Sequence, residues 1–203
     1  MEIGSGLGGL AERLVQFVSP MLVSEPDERL AAKLVAKFAH DSRVTVTAPI
    51  LLPTTGSHEP LDPEPVSIVM SNVLEHIDDD VKALECLLAA FPTVERLVLV
   101  VPAHAWAYSP LDHRLGHHRR YTRSSLRAVV EESGWLCSSV RYFNPVGLLA
   151  WTLSGRLLRR STIAPWHTQA VEALLPVLIL ADRLLAGRLF GQSVLAAATR
   201  PEG

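Results

Sequence analysis

Short apolar segments alternate along this chain with longer segments in which apolar residues recur every three or four positions. Short continuous apolar runs are typical of buried strands, whereas the longer spacing is typical of amphipathic helices. The predicted strands are residues 21–24, 43–46, 66–70, 97–101, 136–142 and 193–199. The predicted helices are residues 10–17, 27–39, 80–91 and 124–133, and residues 49–65, rich in Pro, Gly and Thr, are predicted to form a loop.

Strands that alternate with helices predict an α/β fold with a mostly parallel sheet. The length of 203 residues suits a single domain, residues 1–203, with a sizeable core. The net charge of −2 gives no electrostatic footprint for nucleic acid. Cys86 and Cys137 are far apart in apolar surroundings, which predicts buried free thiols in a reducing, cytoplasmic location. The glycine-rich start does not fit a signal peptide.

Two helical stretches, residues 147–160 and 168–190, form an insertion between the last two predicted strands, so that the insertion spans residues 147–190. Apolar helical stripes usually belong to a core, so we expect these helices to cap the sheet or to pair with a second subunit. The alternatives are a cover over the substrate pocket or a helix on a membrane surface. The apolar run 174–181 is too short to span a bilayer.

Glycines cluster at the start of the chain, where residues 2–9 read Glu-Ile-Gly-Ser-Gly-Leu-Gly-Gly. Glycine tolerates positive φ and carries no side chain, so such a cluster lets a strand turn sharply into a helix while its backbone passes close to a ligand. The following helix directs its free N–H groups at that ligand. Glu25 closes the next predicted strand, where a carboxylate accepts the hydroxyls of a ribose. These features together predict a site for a nucleoside-containing cofactor.

The glycine spacing fits two cofactors. Gly4, Gly6 and Gly9, with Glu25 about 20 residues later, satisfy the fingerprint of a nicotinamide dinucleotide site. The pattern Glu2-x-Gly4-x-Gly6-x-Gly8 instead resembles the first motif of class I S-adenosylmethionine-dependent methyltransferases. The glycines alone leave both hypotheses open.

Two later segments favour the second hypothesis. Residues 72–77, Asn-Val-Leu-Glu-His-Ile, match a sequence that the small-molecule branch (type 11/12-like) of that methyltransferase family carries after its fourth strand. Residues 116–121, Gly-His-His-Arg-Arg-Tyr, resemble the Gly-His-x-Arg-Arg-Tyr segment of the same branch. The resemblance extends from Glu2 to Arg200. It implies a Rossmann-like methyltransferase fold: a seven-stranded, mostly parallel sheet with an antiparallel last strand.

The resemblance also implies a chemistry: S-adenosyl-L-methionine gives its methyl group to an oxygen or nitrogen of a small-molecule acceptor, leaving S-adenosyl-L-homocysteine. It implies that the cofactor lies on Glu2, Gly4, Ser5, Gly6 and Gly8 (methionine end), Glu25 and Pro26 (ribose), and Asn72, Val73 and Leu74 (adenosine). Methyl transfer needs alignment and, for many acceptors, removal of a proton. His117 and His76 are therefore the candidate catalytic residues. The competing interpretation of His117 is that it only fixes its loop.

No metal site is predicted. Asp112, His113 and His117 would share one face of a helix, but Gly116 interrupts that helix, and the chain offers no matching ligand pair elsewhere. A solvated polar loop is the expected structure of this segment.

Two departures from the family pattern leave alternatives open. The family usually carries an Asp after the third strand that binds the adenine, and Ile50 stands near that place. The first strand is also short, which indicates an N-terminally truncated fold: either the natural chain starts upstream of Met1, or a truncated member is completed by forming a homodimer. The alternatives are a degenerate, non-catalytic partner or binding subunit and, on the glycine spacing alone, a nicotinamide-dependent oxidoreductase.

Overall fold

The computed structural model describes residues 1–53, 61–144, 147–148 and 190–202. Its strands are β1 (Glu2–Ile3), β2 (Met21–Ser24), β3 (Val44–Val46), β4 (Ser67–Ser71), β5 (Arg96–Pro102), β6 (Leu136–Phe143) and β7 (Ser193–Thr199). Its α-helices are α1 (Gly9–Leu14), α2 (Glu28–Phe38), α3 (Asp80–Ala90), α4 (Pro110–Leu115) and α5 (Arg123–Glu132). Single 3₁₀ turns, Leu74–His76 and Ala105–Ala107, follow β4 and β5.

The described strands form one seven-stranded sheet in the order β3-β2-β1-β4-β5-β7-β6. Neighbours from β3 to β5 are parallel, whereas β7 is antiparallel to both β5 and β6. This confirms the predicted mostly parallel sheet with an antiparallel last strand. The strand order reverses between β1 and β4, and open α/β sheets bind ligands in the crevice at such a point. The glycine loop after β1 and residues 72–77 after β4 both lie at this edge of the sheet.

Strand β1 has only two residues but is paired on both sides. Glu2 lies opposite Val23 of β2 and Val69 of β4, and Ile3 continues both ladders. The middle of the sheet is therefore closed, and the open edge expected there is not found among the described strands. The homodimer that was inferred from such an edge stays a prediction.

Two helix predictions were wrong. Helix α1 ends at Leu14 rather than at residue 17, because the chain turns toward Pro20 and leaves Phe17 85% exposed instead of packing it. Helix α4 was expected to be a solvated loop. Its start and end signals were present in the sequence: Ser109 and Asp112 form a capping box, Pro110 stands at the first turn, and Gly116 ends the helix with φ +77°.

Two apolar clusters hold the helices on the sheet. The larger joins β4, β5 and β7 to α3 and α5; there the indole of Trp135 is fully buried and donates to the carbonyl of Leu84 (3.1 Å). The smaller joins α1 and α2 to β2 and β3 around Ala11, Leu34 and Phe38. Each fully buried Leu contributes about 1.5–3 kcal/mol. The clusters thus fix the strand ends from which the functional loops start.

Some predictions fall on residues outside this description. The helical insertion, residues 147–190, lies almost entirely there, so it and the single-domain assignment stay predictions. Among the described helices, none is long and apolar enough to cross a membrane. Both cysteines are free; Cys86 is buried as predicted, but Cys137 is only half-buried because it lies on the edge strand β6.

Candidate functional site

The glycine loop connects β1 to α1 in a left-handed conformation. Gly4, Gly6 and Gly8 have φ values of +73°, +56° and +71°, which only glycine adopts without strain. The N–H groups of Gly4 and Ser5 both donate to the carbonyl of Ser24 (2.8 and 3.0 Å), so the loop is anchored to the end of β2. The Ser5 hydroxyl donates to the carbonyl of Glu2 (3.2 Å) and fixes the loop from within.

The three left-handed glycines serve different purposes. A Cβ at Gly4 would lie 2.4 Å from Val73 Cγ2, so the absence of a side chain lets the loop approach residues 72–74. A Cβ at Gly8 would lie 2.7 Å from both Leu34 and Phe38, so this glycine is needed for packing against α2. At Gly6 no atom lies within 4 Å of that position. Gly6 is therefore the place where a ligand can approach the backbone.

Glu2 is a buried carboxyl group beside this loop. It is 2% exposed, and its Oε2 atom accepts no hydrogen bond among the described residues. Burial raises the pKa of Glu2 to about 7, although the N-terminal ammonium and the Ala11 backbone act in the opposite direction. An unpaired buried carboxyl oxygen is costly, so the position suits a cationic or hydrogen-bond-donating ligand group.

Glu25 directly follows β2 and holds the glycine loop. Its Oε2 atom accepts from the N–H of Gly6 (2.7 Å), and its Oε1 atom accepts from the N–H of Asp27 (3.0 Å). Each carboxylate oxygen has a second lone pair, so both remain able to accept from a ligand hydroxyl. Pro26, between Glu25 and Asp27, is exposed. Asp27 caps the N-terminus of α2.

The segment after β4 meets the glycine loop. Asn72 has φ 54° and donates its N–H to the carbonyl of Val100 (2.8 Å) in β5, while Val73 packs at Gly4. Leu74 is fully buried in the larger core, so it can offer a ligand only its backbone. Ile50 is also buried in that core, and its N–H donates to the Ser24 hydroxyl (2.8 Å). No carboxylate is present at the Ile50 position.

A cavity of about 350 Å³ opens on the other side of this segment. The cavity lies between the end of β4, the segment after α4 and the start of β7. Its walls are Asn72, His76, Pro102, Leu115, His117, Arg120, Gln192 and Ser193. The structure thus brings His76 and His117 together, with ring centroids 4.8 Å apart in an edge-to-face arrangement. His76 is exposed at the rim, and partial desolvation of its ring by the surrounding protein, followed by the nearby His117, lowers the pKa of His76.

Asp112 fixes the two cavity-lining side chains His117 and Arg120 by hydrogen bonds. Its Oδ1 atom accepts from Nδ1 of His117 (2.9 Å) and from Nε of Arg120 (2.8 Å), and its Oδ2 atom accepts from the N–H and hydroxyl of Ser109. Burial alone would raise the pKa of Asp112, but the donors His117 and Arg120 outweigh it and hold that pKa below its ordinary value. Since Asp112 is a buried acceptor, Nδ1 of His117 carries a proton, and in the neutral imidazole Nε2 carries the lone pair.

Glu75 is the functional candidate to which the sequence assigned no role, although the resemblance placed the Glu75–His76 pair of the motif 72–77 at the rim of the site. It is 0% exposed, and neither carboxyl oxygen has a hydrogen-bond partner among the described residues. Its Oε1 atom lies 3.9 Å from Nε2 of His117. Burial raises the pKa of Glu75 to about 7. The signal that marks it, an orphaned buried carboxyl, exists only in three dimensions.

Comparisons with known proteins identify the fold. No family model matches the chain, and no curated protein matches it either. Among solved structures, a Haloferax volcanii protein in complex with the Trm112 methyltransferase activator is 10% identical, with a TM-score of 0.63, over 100% of this chain and 81% of that one.

Two other similar structures contain the cofactor or its product. Phosphoethanolamine N-methyltransferase 2 of Haemonchus contortus, with S-adenosyl-L-methionine, is 13% identical with a TM-score of 0.61; the match covers 99% of this chain and 48% of that chain. Magnesium protoporphyrin IX methyltransferase of Synechocystis, with bound S-adenosylhomocysteine, is 13% identical with a TM-score of 0.56; the match covers 98% of this chain and 73% of that chain. The strand order and these similarities together show that the chain has the Rossmann-like fold of class I S-adenosylmethionine-dependent methyltransferases.

Proposed function

We propose that this protein is an S-adenosylmethionine-dependent methyltransferase that acts on an oxygen or nitrogen of a small-molecule acceptor. The observation that carries the proposal is the buried Glu2 Oε2 atom, unpaired among the described residues, beside a left-handed glycine loop that is open at Gly6. A ligand that combines an ammonium group with a nucleoside fits both features. A nicotinamide dinucleotide has no primary ammonium group to pair with a buried carboxylate, so it accounts for Glu2 less well.

The cofactor side divides among three loops at the carboxyl edge of the sheet. Glu2, Gly4, Ser5, Gly6 and Gly8 would hold the methionine end; Glu25 and Pro26 the ribose; and Asn72, Val73 and the Leu74 backbone the adenosine. Gly8 acts indirectly, since its contacts are with α2. The cofactor supplies an activated methyl group, so the residues of the chain need only orient the acceptor and receive its proton.

The acceptor side is the cavity next to Asn72. Its volume, about 350 Å³, is at the small end of the range of ligand pockets and supports a small-molecule acceptor. His117 is oriented by Asp112, which leaves the lone pair of Nε2 free to accept the proton of a hydroxyl or amine. In the proposed step the acceptor loses that proton and forms its new bond to the methyl carbon, while the methyl–sulfur bond breaks.

Two further proposals concern the location of the protein in the cell and its oligomeric state. The free thiols of Cys86 and Cys137 support a reducing, cytoplasmic location. A homodimer is the expected assembly, and light scattering on the purified chain measures it.

A non-catalytic partner subunit is the second candidate function. It is favoured by the apolar Ile50, which offers no acceptor to an adenine amino group. Losing one such hydrogen bond changes affinity by only about 0.5–1.5 kcal/mol, so catalysis remains the first proposal.

The experiment that separates these candidates measures formation of S-adenosylhomocysteine from S-adenosylmethionine over a panel of hydroxylated and amino-bearing small molecules. We expect turnover with members of the panel and at least about a 100-fold lower rate for His117→Gln. His113→Gln, on the exposed face of α4, is the matched control and should leave the rate unchanged. Cofactor binding without turnover on any acceptor would favour the partner subunit.

A further inference from the structure

Three side chains at the mouth of the cavity form a ligand set that the sequence did not predict. Glu75 and His76 come from the 3₁₀ turn after β4, and His117 comes from the segment after α4. One ligand atom from each side chain lies within 4.8 Å of the other two. In zinc sites with metal–ligand distances of about 2.1 Å, neighbouring ligand atoms lie about 3.0–3.4 Å apart. Small rotations of the side chains would therefore complete the site.

Hydrogen bonding within the described residues explains only part of this cluster: it pairs His76 with the Gly116 backbone and His117 with Asp112, but leaves Glu75 without a partner. Nδ1 of His117 donates to Asp112, so its Nε2 atom presents a lone pair toward Glu75. Glu75 Oε1 lies 3.9 Å from that nitrogen, too far for a hydrogen bond. Glu75 is fully buried, and both its oxygens lack a partner in the part of the chain that is described. Two groups with lone pairs thus face one another across a gap that a cation would fill.

The surroundings of His117 are those of a metal ligand. Protein imidazoles that bind metals usually donate their second ring nitrogen to a carboxylate, which fixes the ring and its tautomer. Asp112 provides that carboxylate at 2.9 Å and is itself fixed by Ser109 and by Arg120. The cluster also holds two buried carboxyl groups, Glu75 and Asp112, against one buried guanidinium, so an added cation improves its charge balance.

We propose that Glu75, His76 and His117 bind a divalent first-row transition-metal ion at the mouth of the cavity. Two imidazole nitrogens with one carboxylate suit zinc, iron, cobalt or nickel better than magnesium, calcium or manganese, which prefer oxygen ligands. From the sequence, Asp112, His113 and His117 predicted no metal site, because Gly116 interrupts their helix and no matching Cys or His occurs elsewhere at ligand spacing. The structure instead gives His113 an exposed position and Asp112 a supporting one.

One consequence rests on the proposed function. Three protein ligands leave coordination positions open toward the cavity, where an acceptor hydroxyl can bind and lose its proton more readily. An ion on His117 Nε2 would occupy the lone pair to which the proposed function assigns the acceptor's proton, so with the ion bound this role of His117 would be replaced and the proton would pass to water. This consequence favours an oxygen acceptor over a nitrogen acceptor.

The test begins with the 203-residue chain, stripped of metal with a chelator and titrated with Zn²⁺ by calorimetry. A parallel titration with Co²⁺ follows the visible absorption that nitrogen-ligated cobalt gives. We expect one ion per chain and at least tenfold weaker binding in Glu75→Gln and His117→Gln. We expect Asp112→Asn to weaken binding about 10–100-fold. His113→Gln, with its exposed imidazole, is the control and should bind as the wild type does.

Absence of a stoichiometric ion in the wild type would overturn the proposal, as would equal affinity in Glu75→Gln and His117→Gln. Thermal unfolding of each metal-free variant checks its folding; if Glu75→Gln does not fold, His76→Gln, whose residue is exposed, gives the same decision. Titration of the metal-free protein with S-adenosylhomocysteine is a separate measurement. If the wild type binds S-adenosylhomocysteine but no ion, only the metal site is overturned. If it binds the ion but not S-adenosylhomocysteine, only the proposed function is overturned.

Discussion

At the scale of single residues, the buried carboxyl groups of the site are of two kinds. In one kind both oxygens accept hydrogen bonds, and in the other at least one oxygen accepts none. Asp112 and Glu25 are buried, but each has donors on both oxygens. Glu2 and Glu75 are buried with at least one oxygen that lacks a partner among the described residues, and burial raises the pKa of each to about 7. Because an unpaired buried polar group is costly, these two positions are where we place ligands.

Glu2→Gln should stabilise the ligand-free protein at alkaline pH. The pKa of Glu2 is about 7 in the folded chain and 4.5 ordinarily, so the folded state holds a proton that the unfolded state has released between these values. The contribution of Glu2 to stability therefore falls as the pH rises from about 4.5 to 7. We expect Glu2→Gln to raise the melting temperature at pH 8 more than at pH 5. An equal change in melting temperature at both pH values would contradict the burial of the Glu2 carboxyl. The control is Glu28→Gln, at an exposed position on α2.

Binding of S-adenosylhomocysteine near pH 7 should release a proton from Glu2. The ligand ammonium favours the carboxylate, while the groups that already face Glu2 are the N-terminal amine, the Ala11 backbone and Glu25. Calorimetry in two buffers of different ionisation enthalpy measures the proton. We expect release of up to one proton by the wild type and none from this source by Glu2→Gln, whose affinity should also fall by about tenfold, as for the loss of a charge-assisted hydrogen bond. Equal proton release by both proteins would place the ammonium elsewhere.

At the scale of elements, the glycine loop combines a ligand surface with a packing constraint. Its glycines share a left-handed backbone, but their surroundings differ: Gly6 faces open space and Gly8 faces α2. The sequence pattern predicted the loop correctly and could not distinguish these two purposes, because the neighbours of Gly8 come from another helix.

Substituting these glycines by alanine should separate stability from binding. Gly8→Ala places a Cβ 2.7 Å from Leu34 and Phe38 at positive φ, so we expect a loss of about 1–3 kcal/mol in the free energy of unfolding. Gly6→Ala adds only the backbone strain, about 1 kcal/mol, but obstructs the ligand. Denaturant unfolding and nucleoside titration measure both effects, with Gly9→Ala, which meets nothing within 4 Å and starts α1, as the neutral control. If Gly6→Ala binds as the wild type does, the ligand does not lie on this loop.

Helix α4 places Asp112 where it joins Arg120 to His117. Both members of the Asp112–Arg120 pair are almost fully buried, at 0% and 1% side-chain exposure. Removing one member of such a pair leaves an uncompensated charge, so Asp112→Asn should lower the free energy of unfolding by about 3 kcal/mol. Urea unfolding measures the change. Asp41→Asn, which breaks the exposed pair with Arg43, is the control and should have little effect. Equal effects of the two substitutions would show that the buried cluster is not a structural unit.

At the scale of the whole molecule, the sequence was sufficient for the sheet and insufficient for the pocket. The alternation of apolar runs with helical spacing identifies β2 to β7 within a residue or two. This is possible because the apolar residues of each strand are themselves enough to predict that the strand is buried. Helix α4 was missed although Ser109, Pro110 and Gly116 carried its signals, since its polar side chains suggested a loop. The approach of Glu75 to His117 depends on the packing of two distant segments, which local patterns do not contain.

The most direct test of the central claim is a calorimetric titration of the purified chain with S-adenosylhomocysteine, with NAD as the control ligand. A methyltransferase site at the edge formed by β1, β2 and β4 predicts micromolar binding of S-adenosylhomocysteine, about −8 kcal/mol, and no binding of NAD. The predicted binding should be lost in Gly6→Ala. Absence of S-adenosylhomocysteine binding, or binding of NAD in its place, would contradict the claim.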